Sequence, residues 1–197
     1  MWPDPITLSG PLARLEPLSQ DHAQDLSQAS AENELHTLWY TAVPAPQAVP
    51  TEIERRLGLQ AQGTMLPFAI CQTDGGRAVG MTTYMNIDAV HKRVEIGSTW
   101  YAPSVQRTGL NTQVKTLMLT HAFEALGCIA VEFRTHRLNR QSRAAIERLG
   151  AQLDGILRAH MVMPNGTLRD TAVYSITASD WPGVKAHLAG LVARHSP

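Results

Sequence analysis

The segment from Trp100 to Thr112 constrains the fold of this chain most, because it joins a strand pattern to a long helix pattern through a glycine. The strand pattern ends near Trp100, Gly109 stands at the turn, and an apolar stripe at helical spacing begins at Leu110. The first backbone N–H groups of a helix have no intrahelical partner, and together with the helix dipole they attract phosphate oxygens. The segment therefore predicts either an anion site or an ordinary turn whose glycine takes a positive φ.

Strand and helix patterns alternate along the whole chain, without an internal repeat, a low-complexity tract or a linker. Their order is strand, two helices, three strands, helix, strand, helix, two strands and a final helix. Hairpin signals stand at 74–76 and 164–166. The first strand, 12–18, contains Pro17 and is expected at a sheet edge. A capping box at 51–54 is expected to open the second helix. These patterns predict one mixed α/β domain over residues 1–197.

The composition limits the function classes open to this chain. With 44% hydrophobic and 17% charged residues it can bury a core, and 17 Lys and Arg balance 17 Asp and Glu. No net charge draws it to nucleic acid or to an anionic membrane. Cys71 and Cys128 lie in apolar runs and are expected to be buried free thiols. No start resembles a signal peptide and no apolar run has the length of a membrane span, so we expect a cytoplasmic protein.

Two separated motifs resemble those of the GNAT N-acetyltransferases. Gln106-Arg107-Thr108-Gly109-Leu110-Asn111 looks like that family's Gln/Arg-x-x-Gly-x-Gly/Ala pyrophosphate loop. The helix from Asn139 to Ser142, with its Leu149-Gly150 ending, resembles the RimJ/RimL branch of ribosomal-protein N-terminal acetyltransferases. The resemblance covers most of the chain. It implies the GNAT acyl-CoA N-acyltransferase fold, with a mostly antiparallel central sheet, a splayed parallel pair of strands in the middle and helices on both faces.

The same resemblance implies acetyl-CoA as the cosubstrate, and the spacing of the histidines implies no metal. Amides exposed where the strands ending near Trp100 and Thr135 splay would bind the pantetheine arm, and the loop would bind the pyrophosphate. Asn111 departs from the family's small residue, so either the backbone stays farther from the phosphate or Asn111 caps the helix. Lys115 either reaches a phosphate or is solvated on the exposed helix face. The residues expected to bind the cofactor are Trp100, Tyr101, Gln106, Arg107, Thr108, Gly109, Leu110, Asn111, Thr112, Asn139 and Ser142.

Three residues are candidates for catalysis, namely Glu95, Ser142 and His160. Many GNAT enzymes place a tyrosine general acid seven residues after the asparagine, where this chain has Ile146. The resemblance therefore assigns Ser142 either the proton donor's role or only a hydrogen bond to the cofactor. Glu95 stands where some members hold a base, and strand alternation places it on one face with Gly97 and Thr99. The other interpretation of Glu95 is a solvated residue paired to an arginine, Arg93 or Arg134.

His160 offers an alternative base. A three-residue loop at 164–166 would set it opposite Asp170, whereas a two-residue turn would shift the register. In the branch that the chain resembles, an acidic residue can stand at this position, so an imidazole held by Asp170 could accept the proton. A purely structural histidine is the competing interpretation. The remaining histidines show no paired metal spacing and are expected on the surface or in the core: His22, His36, His91, His121, His136, His187 and His195.

The function expected is transfer of the acetyl group of acetyl-CoA to a primary amine, foremost the N-terminal α-amine of a protein or peptide. An α-amine titrates near ~8 and a lysine near ~10.4, so weak acid and base groups suit the α-amine better. A polyamine or aminoglycoside is a rival acceptor, to which Glu32, Glu34, Glu52 and Glu54 could contribute acid, although helix caps also explain them. A non-catalytic acyl-CoA sensor is a further rival because the tyrosine is missing. A homodimer through the C-terminal hairpin or helix stays open.

Overall fold

The fold is that of a computed structural model in which residues 2–37, 39, 41 and 43–194 are described. The described strands form one sheet and are β1 (Leu8–Ser9), β2 (Ala13–Pro17), β3 (Met65–Gln72), β4 (Ala78–Asp88), β5 (Arg93–Tyr101), β6 (Ala130–His136), β7 (Gln152–Val162) and β8 (Leu168–Thr177). The described α-helices are α1 (Ala23–Ala31), α2 (Val49–Ala61), α3 (Leu110–Thr120), α4 (Arg140–Arg148) and α5 (Trp181–Ala193). None of the described helices is long and apolar enough to cross a bilayer.

The strands follow the order β1-β2-β3-β4-β5-β6-β8-β7, and β5 and β6 are the parallel pair at the centre. Every other neighbouring pair of described strands is antiparallel. The pairing of β5 with β6 is short, running from Arg93 opposite Ala130 to Glu95 opposite Glu132. Beyond those residues both strands continue without pairing to each other, so they diverge into an open cleft. The expected mostly antiparallel sheet with a splayed parallel pair is confirmed.

Helices cover the sheet on two faces, as expected. Thr83 of β4 accepts a hydrogen bond from Arg56 of α2, whereas the next residue, Tyr84, donates one to Met118 of α3. Successive strand residues point to opposite faces, so α2 and α3 lie on opposite sides. Tyr174 of β8 donates to Glu147 of α4, on the α3 side. Both cysteines are buried and free, as the sequence predicts.

Three local predictions are wrong. The strand around Pro17 is not an edge strand, because β1 pairs along its outer side with Leu8 opposite Leu15. The second helix begins before its presumed capping box, because a 3-10 turn over Pro46–Ala48 leads directly into α2. The acidic residue of that box, Glu52, is instead held by Arg55 and Arg56. The apolar stripe that begins at Leu110 continues to Leu126 and predicts one helix over that span, whereas α3 is α-helical only to Thr120 and ends in a π turn.

Candidate active site

β5 bulges at Ser98, in the part of the strand that borders the cleft beyond its last pair with β6. Ser98 has a φ of 47°, and the register with β4 shifts between Met81 and Thr83. Arg56, almost fully buried, donates to the Ser98 carbonyl at 3.3 Å and to Thr83 Oγ1 at 2.8 Å. The carbonyl that the bulge removes from the ladder is thereby satisfied. A buried guanidinium therefore holds the bulge of β5, and beyond the bulge Trp100 and Tyr101 pair with β4 again.

The glycine turn forms the predicted helix N-terminus. Gly109 takes a φ of 84° and is the N-cap of α3. The first intrahelical bond of this turn runs from Gln113 N–H to the Gly109 carbonyl at 3.0 Å, so the amides of residues 110–112 lie ahead of the helical ladder. No side chain of the described residues caps them. The left-handed glycine and the free first turn are the geometry of an anion site.

Side chains around the turn tie it to the end of β5. Tyr101 donates its hydroxyl hydrogen to Asn111 Oδ1 at 2.8 Å, and Gln106 Nε2 donates to the Tyr101 carbonyl at 3.2 Å. Asn111 therefore braces the loop, and the interpretation as a helix cap is wrong because Gly109 holds that position. Thr112 is buried and accepts a hydrogen bond from Arg148 of α4 at 2.5 Å. The three other loop residues are Arg107 and Thr108, both exposed, and Leu110, which is buried.

Lys115 lies in the core, contrary to both sequence interpretations. Its side chain crosses from α3 to the sheet, where Nζ donates to Thr99 Oγ1 at 2.7 Å and to Thr82 Oγ1 at 3.1 Å. The residue is 6% exposed, and burial lowers its pKa to about 7. The bulge at Ser98 rotates Thr99 onto the α3 side, so Thr99 does not share a face with Glu95 as simple alternation predicts.

Glu95 stands at the point where β5 and β6 part. It is 5% exposed, its Oε2 accepts from Asn86 Nδ2 at 2.6 Å, and the same oxygen lies 3.6 Å from Arg134 Nε. Burial raises its pKa above the ordinary glutamate value, and the contact with Asn86 only partly offsets that effect. A cavity of about 400 Å³ opens beside the carboxylate, and its other lining residues include Asn86, Arg93, Glu132 and Arg134. The alternative of a solvated Glu95 is therefore wrong, although the expected pairing with Arg134 is present.

Gly97 leaves the space that the Glu95 side chain occupies. A Cβ at residue 97 would lie 2.8 Å from Glu95 Oε1 and 2.8 Å from Met85 Sδ. The carboxylate thus occupies the space beside a glycine, on the same face of β5, where a side chain would exclude it.

The helix that carries Ser142 begins as the sequence predicts. Asn139 is the N-cap of α4, and its Oδ1 accepts the Ser142 backbone N–H at 3.0 Å. The Ser142 hydroxyl, half-buried, has no hydrogen-bond partner recorded among the described residues. Ile146 is buried against the core at the position of the family tyrosine.

His160 is not held by Asp170. The loop at 164–166 has the three-residue form, with Met163 N–H bonded to the Thr167 carbonyl at 2.8 Å, and Met161 pairs with Arg169 as that register predicts. A bulge between Leu157 and Met161 then alters the contacts. His160 Nδ1 lies 3.1 Å from Thr171 Oγ1. The Asp170 carboxylate is occupied instead by Arg137 at 3.1 Å, Arg158 at 2.9 Å and the Ala159 amide at 2.9 Å.

Two buried polar atoms lack a partner among the described residues, and both belong to residues beside the cleft. They are Trp100 Nε1 on β5 and His136 Nε2 at the end of β6. The sequence pointed to Trp100 as a cofactor residue but treated His136 as an ordinary surface or core histidine. Its place at a splayed strand end, two residues after Arg134, is the signal that could have marked it.

One cluster of potential metal ligands forms that linear spacing does not reveal. Ligand atoms of Glu16, His22 and Cys71 lie within 4.8 Å of one another. Burial raises the pKa of the Cys71 thiol to about 12, and Glu16 is bonded to Arg14 at 2.6 Å. His195 lies outside the described residues.

Comparison with known proteins identifies the family. Residues 13–152 match the model of the acetyltransferase (GNAT) domain. The chain belongs to the GNAT acetyltransferase family. The matched region includes the cleft, the Gly109 turn and α4.

Relatives and solved structures agree with this assignment. The chain is 33% identical over 110 residues to the "Putative ribosomal N-acetyltransferase YdaF" of Bacillus subtilis strain 168, a match covering 56% of this chain and 59% of that relative. The chain thus spans about three-fifths of that relative's length. A GCN5-related N-acetyltransferase from Brucella melitensis superposes with a TM-score of 0.84 at 33% identity, over 96% of this chain and 86% of that one. Mycobacterium smegmatis RimJ, solved with CoA-disulfide, gives a TM-score of 0.79 at 25% identity, over 98% and 96%.

GNAT acetyltransferases use acetyl-CoA, and the residues of this cleft fit that molecule. The left-handed glycine at the start of α3 leaves amides for a pyrophosphate, and the diverging strands leave edge amides and carbonyls for the pantetheine arm. The unpartnered Trp100 Nε1 supplies a further donor in the strand that borders the cleft.

Proposed function

We propose that this chain transfers the acetyl group of acetyl-CoA to the α-amine of a peptide or protein N-terminus. The observation that carries the proposal is the junction of β5 and α3. There the Gly109 turn frees the first helix amides at one end of the same strand whose other end holds the buried Glu95. The proposed diphosphate site and the buried carboxylate therefore lie toward opposite ends of β5.

Bound acetyl-CoA supplies a thioester, and residues of this chain accept a proton from the amine and return one to the sulfur. We assign Glu95 the role of accepting a proton from the amine as the nitrogen forms its bond to the acetyl carbon. The carbon–sulfur bond breaks, and the thiolate takes up a proton. Burial makes Glu95 a stronger base than an exposed glutamate, and the hydrogen bond from Asn86 fixes its orientation.

Ser142 is our candidate for returning a proton to the leaving sulfur. The hydroxyl is half-buried on the first turn of α4, and the N-cap bond from Ser142 N–H to Asn139 orders this turn. If the Ser142 hydroxyl donates the proton, Ser142→Ala lowers turnover more than CoA affinity. If the hydroxyl only binds the cofactor, the same variant lowers CoA affinity more than turnover. His160 keeps only a supporting role in this proposal, because its partner is the Thr171 hydroxyl and not a carboxylate.

Charges around Glu95 favour an α-amine over a polyamine. Arg134 and Arg169 lie on the same sheet face as Glu95, and the neighbouring acid, Glu132, is bonded to Arg134 at 2.6 Å. A polycation would meet arginines where polyamine binding calls for free carboxylates. Two of the four acids expected at the rim are occupied, because Glu52 binds two arginines and Glu32 accepts the Ser104 amide. Glu54 is exposed, and the side chain of Glu34 lies outside the described residues.

The experiment uses labelled acetyl-CoA and paired peptides with free or blocked N-termini, each containing one internal lysine. The proposal expects label at the free N-terminus and none on the blocked peptide. Label only on lysine, or only on spermidine added as a third acceptor, contradicts it. CoA release measured in the same reactions, compared with a reaction lacking acceptor, separates acetyl transfer from hydrolysis.

A further inference from the structure

A buried hydrogen-bond donor lacks a partner among the described residues, and it lies on the sheet face that carries Glu95. His136 is 4% exposed, and its Nδ1 accepts the Leu138 backbone N–H at 3.0 Å. Because Nδ1 is the acceptor in that bond, the neutral ring carries its hydrogen on Nε2. That Nε2 is buried without a partner among the described residues. Buried donors in native proteins almost always have a partner, so this one calls for an external oxygen.

A second donor group lies beside it. Arg169 is half-buried on β8, where its Nε donates to Thr171 Oγ1 at 3.0 Å. Within the described part of the chain, this is the one hydrogen bond of the Arg169 side chain, which forms no direct ion pair. Thr171 is paired with His136 across the strands, so Arg169 is the diagonal neighbour of His136 on the same face. Its guanidinium interacts electrostatically with both His136 and Glu95.

The surroundings of this pair suit a ligand. Strand alternation places Glu132, Arg134 and His136 on the face that carries Glu95. Trp39, from the segment between α1 and α2, meets the His136 ring edge-on with a centroid separation of 5.2 Å. Trp39 is 47% exposed, so the indole that contacts the His136 ring is itself partly open to solvent.

We propose that His136 Nε2–H, together with Arg169, binds a carbonyl or carboxylate oxygen on the acceptor's own chain and so selects amines that carry such an oxygen. The inference rests on the proposed function and adds a specificity-determining residue to it. Peptide carbonyls and the carboxylate of a free amino acid share this chemistry. His136 is four residues along β6 from the partner of Glu95, about 13 Å of extended strand, so the oxygen lies farther along the acceptor than the amine.

His136 acts here as a donor and not as a base. Its Nδ1 lone pair is used by the Leu138 amide, and burial followed by the nearby charge of Arg169 lowers its pKa, which keeps the ring neutral. A neutral imidazole with Nδ1 occupied can only donate through Nε2.

Two variants separate the donor from the structural contact. His136→Asn keeps an oxygen that can accept the Leu138 amide but has no donor that reaches the Nε2 position. His136→Gln places an amide donor near that position. The acceptors are isopropylamine, which has no oxygen, then free alanine, alaninamide, and the amides of alanine peptides of two to five residues, a series whose longest member spans more than about 13 Å.

The expected result is a loss that depends on the acceptor. His136→Asn lowers kcat/KM by about tenfold for the acceptors that carry the bound oxygen, mainly through KM, and leaves isopropylamine unchanged. His136→Gln restores most of the difference. The step of the series at which the loss first appears identifies the oxygen, and a loss confined to free alanine assigns it to a carboxylate. An equal loss for every acceptor, or no loss for any, overturns the inference.

Failure of the proposed function gives a different result. If the wild-type protein acetylates none of these amines, the proposed function fails and the inference falls with it. If it acetylates them and the ratio of wild-type to His136→Asn activity stays constant, the inference alone fails. CoA affinity, measured by calorimetry for all three proteins, should be the same, because His136 is not among the proposed CoA-binding residues.

Discussion

At the residue scale, the Glu95 carboxylate is buried but borders a cavity. Such an environment raises the pKa of a carboxyl group and still admits a substrate. We predict that Glu95→Gln lowers kcat by about 10²- to 10⁴-fold, the range for loss of a general base. On acidification, log kcat/KM of the wild type should fall with slope one once the amine protonates near ~8. It should steepen below the Glu95 pKa, at a pH above the ordinary glutamate value, because the base works only when ionised.

The matched control for this prediction is Glu132→Gln, which alters the neighbouring acid on the same face. That variant should retain the second break in the pH profile, and Glu95→Gln should lose it. An unchanged profile in Glu95→Gln would remove the carboxylate from the mechanism.

Lys115 gives a second prediction at this scale, on stability. Burial lowers its pKa from 10.5 to about 7, so folding disfavours the charged form. Below about pH 7 both states are protonated and the full cost is present. Between about 7 and 10.5 the unfolded chain binds the proton that the folded one has released, so wild-type stability rises by up to about 1.4 kcal/mol per pH unit. Lys115→Met should lack this rise.

Urea unfolding at pH 6.5 and pH 9 tests this difference in slope. Lys185→Met, at an exposed lysine paired with Glu124, serves as the control and should follow the wild type. Equal pH dependence in the wild type and Lys115→Met would show that the buried amine is solvated after all.

The residues whose surroundings the sequence did not predict share one cause. Lys115, Thr99 and His136 depend on where a strand bulges or on which neighbour it pairs with, and neither property is local in sequence. One bulge at Ser98 reverses the side on which Thr99 lies. By contrast, the positive φ of Gly109 could be predicted from local sequence, because this glycine stands at a turn directly before a helix pattern.

At the element scale, the β5–α3 junction and α4 make contact through side chains. Thr112 accepts from Arg148, which links the first turn of α3 to the last turn of α4. The sequence predicted most of these elements to within a few residues, because strand alternation and helix caps are local signals. It did not predict β1, which has two residues and no pattern of its own, nor the π turn after α3.

The junction yields a prediction with a control of equal backbone strain. Gly109→Val and Gly127→Val both place a β-branched residue at a positive φ, 84° and 65° respectively, and both should lose stability. A Cβ at residue 127 meets nothing within 4 Å, and Gly127 lies beyond the far end of α3. We expect CoA affinity to fall about tenfold or more in Gly109→Val, because its helix amides shift, and to stay constant in Gly127→Val. Calorimetric titration measures both, and equal affinities would assign the turn to chain reversal alone.

At the scale of the whole molecule, the parallel pairing of β5 and β6 joins two antiparallel halves of the sheet by only three residue pairs. Strands β1 to β5 lie on one side of this seam, and β6, β8 and β7 lie on the other. A ligand that bonds to both diverging edges adds contacts across the weakest part of the sheet. Because such a ligand binds only the folded state, it stabilises the protein by mass action.

This argument predicts the response of thermal unfolding to CoA. At a CoA concentration of about 100 times Kd, the stabilisation is about 2.7 kcal/mol, which for a chain of 197 residues raises Tm by roughly 5–10 °C. Gly109→Val at the same CoA concentration should show a shift smaller by several degrees, whereas Gly127→Val should show the full shift above its own lower Tm. Hydrogen exchange should slow in both β5 and β6 on addition of CoA, because the ligand bridges the two edges. Protection confined to the start of α3 would mean that only the pyrophosphate is bound and that the seam stays open.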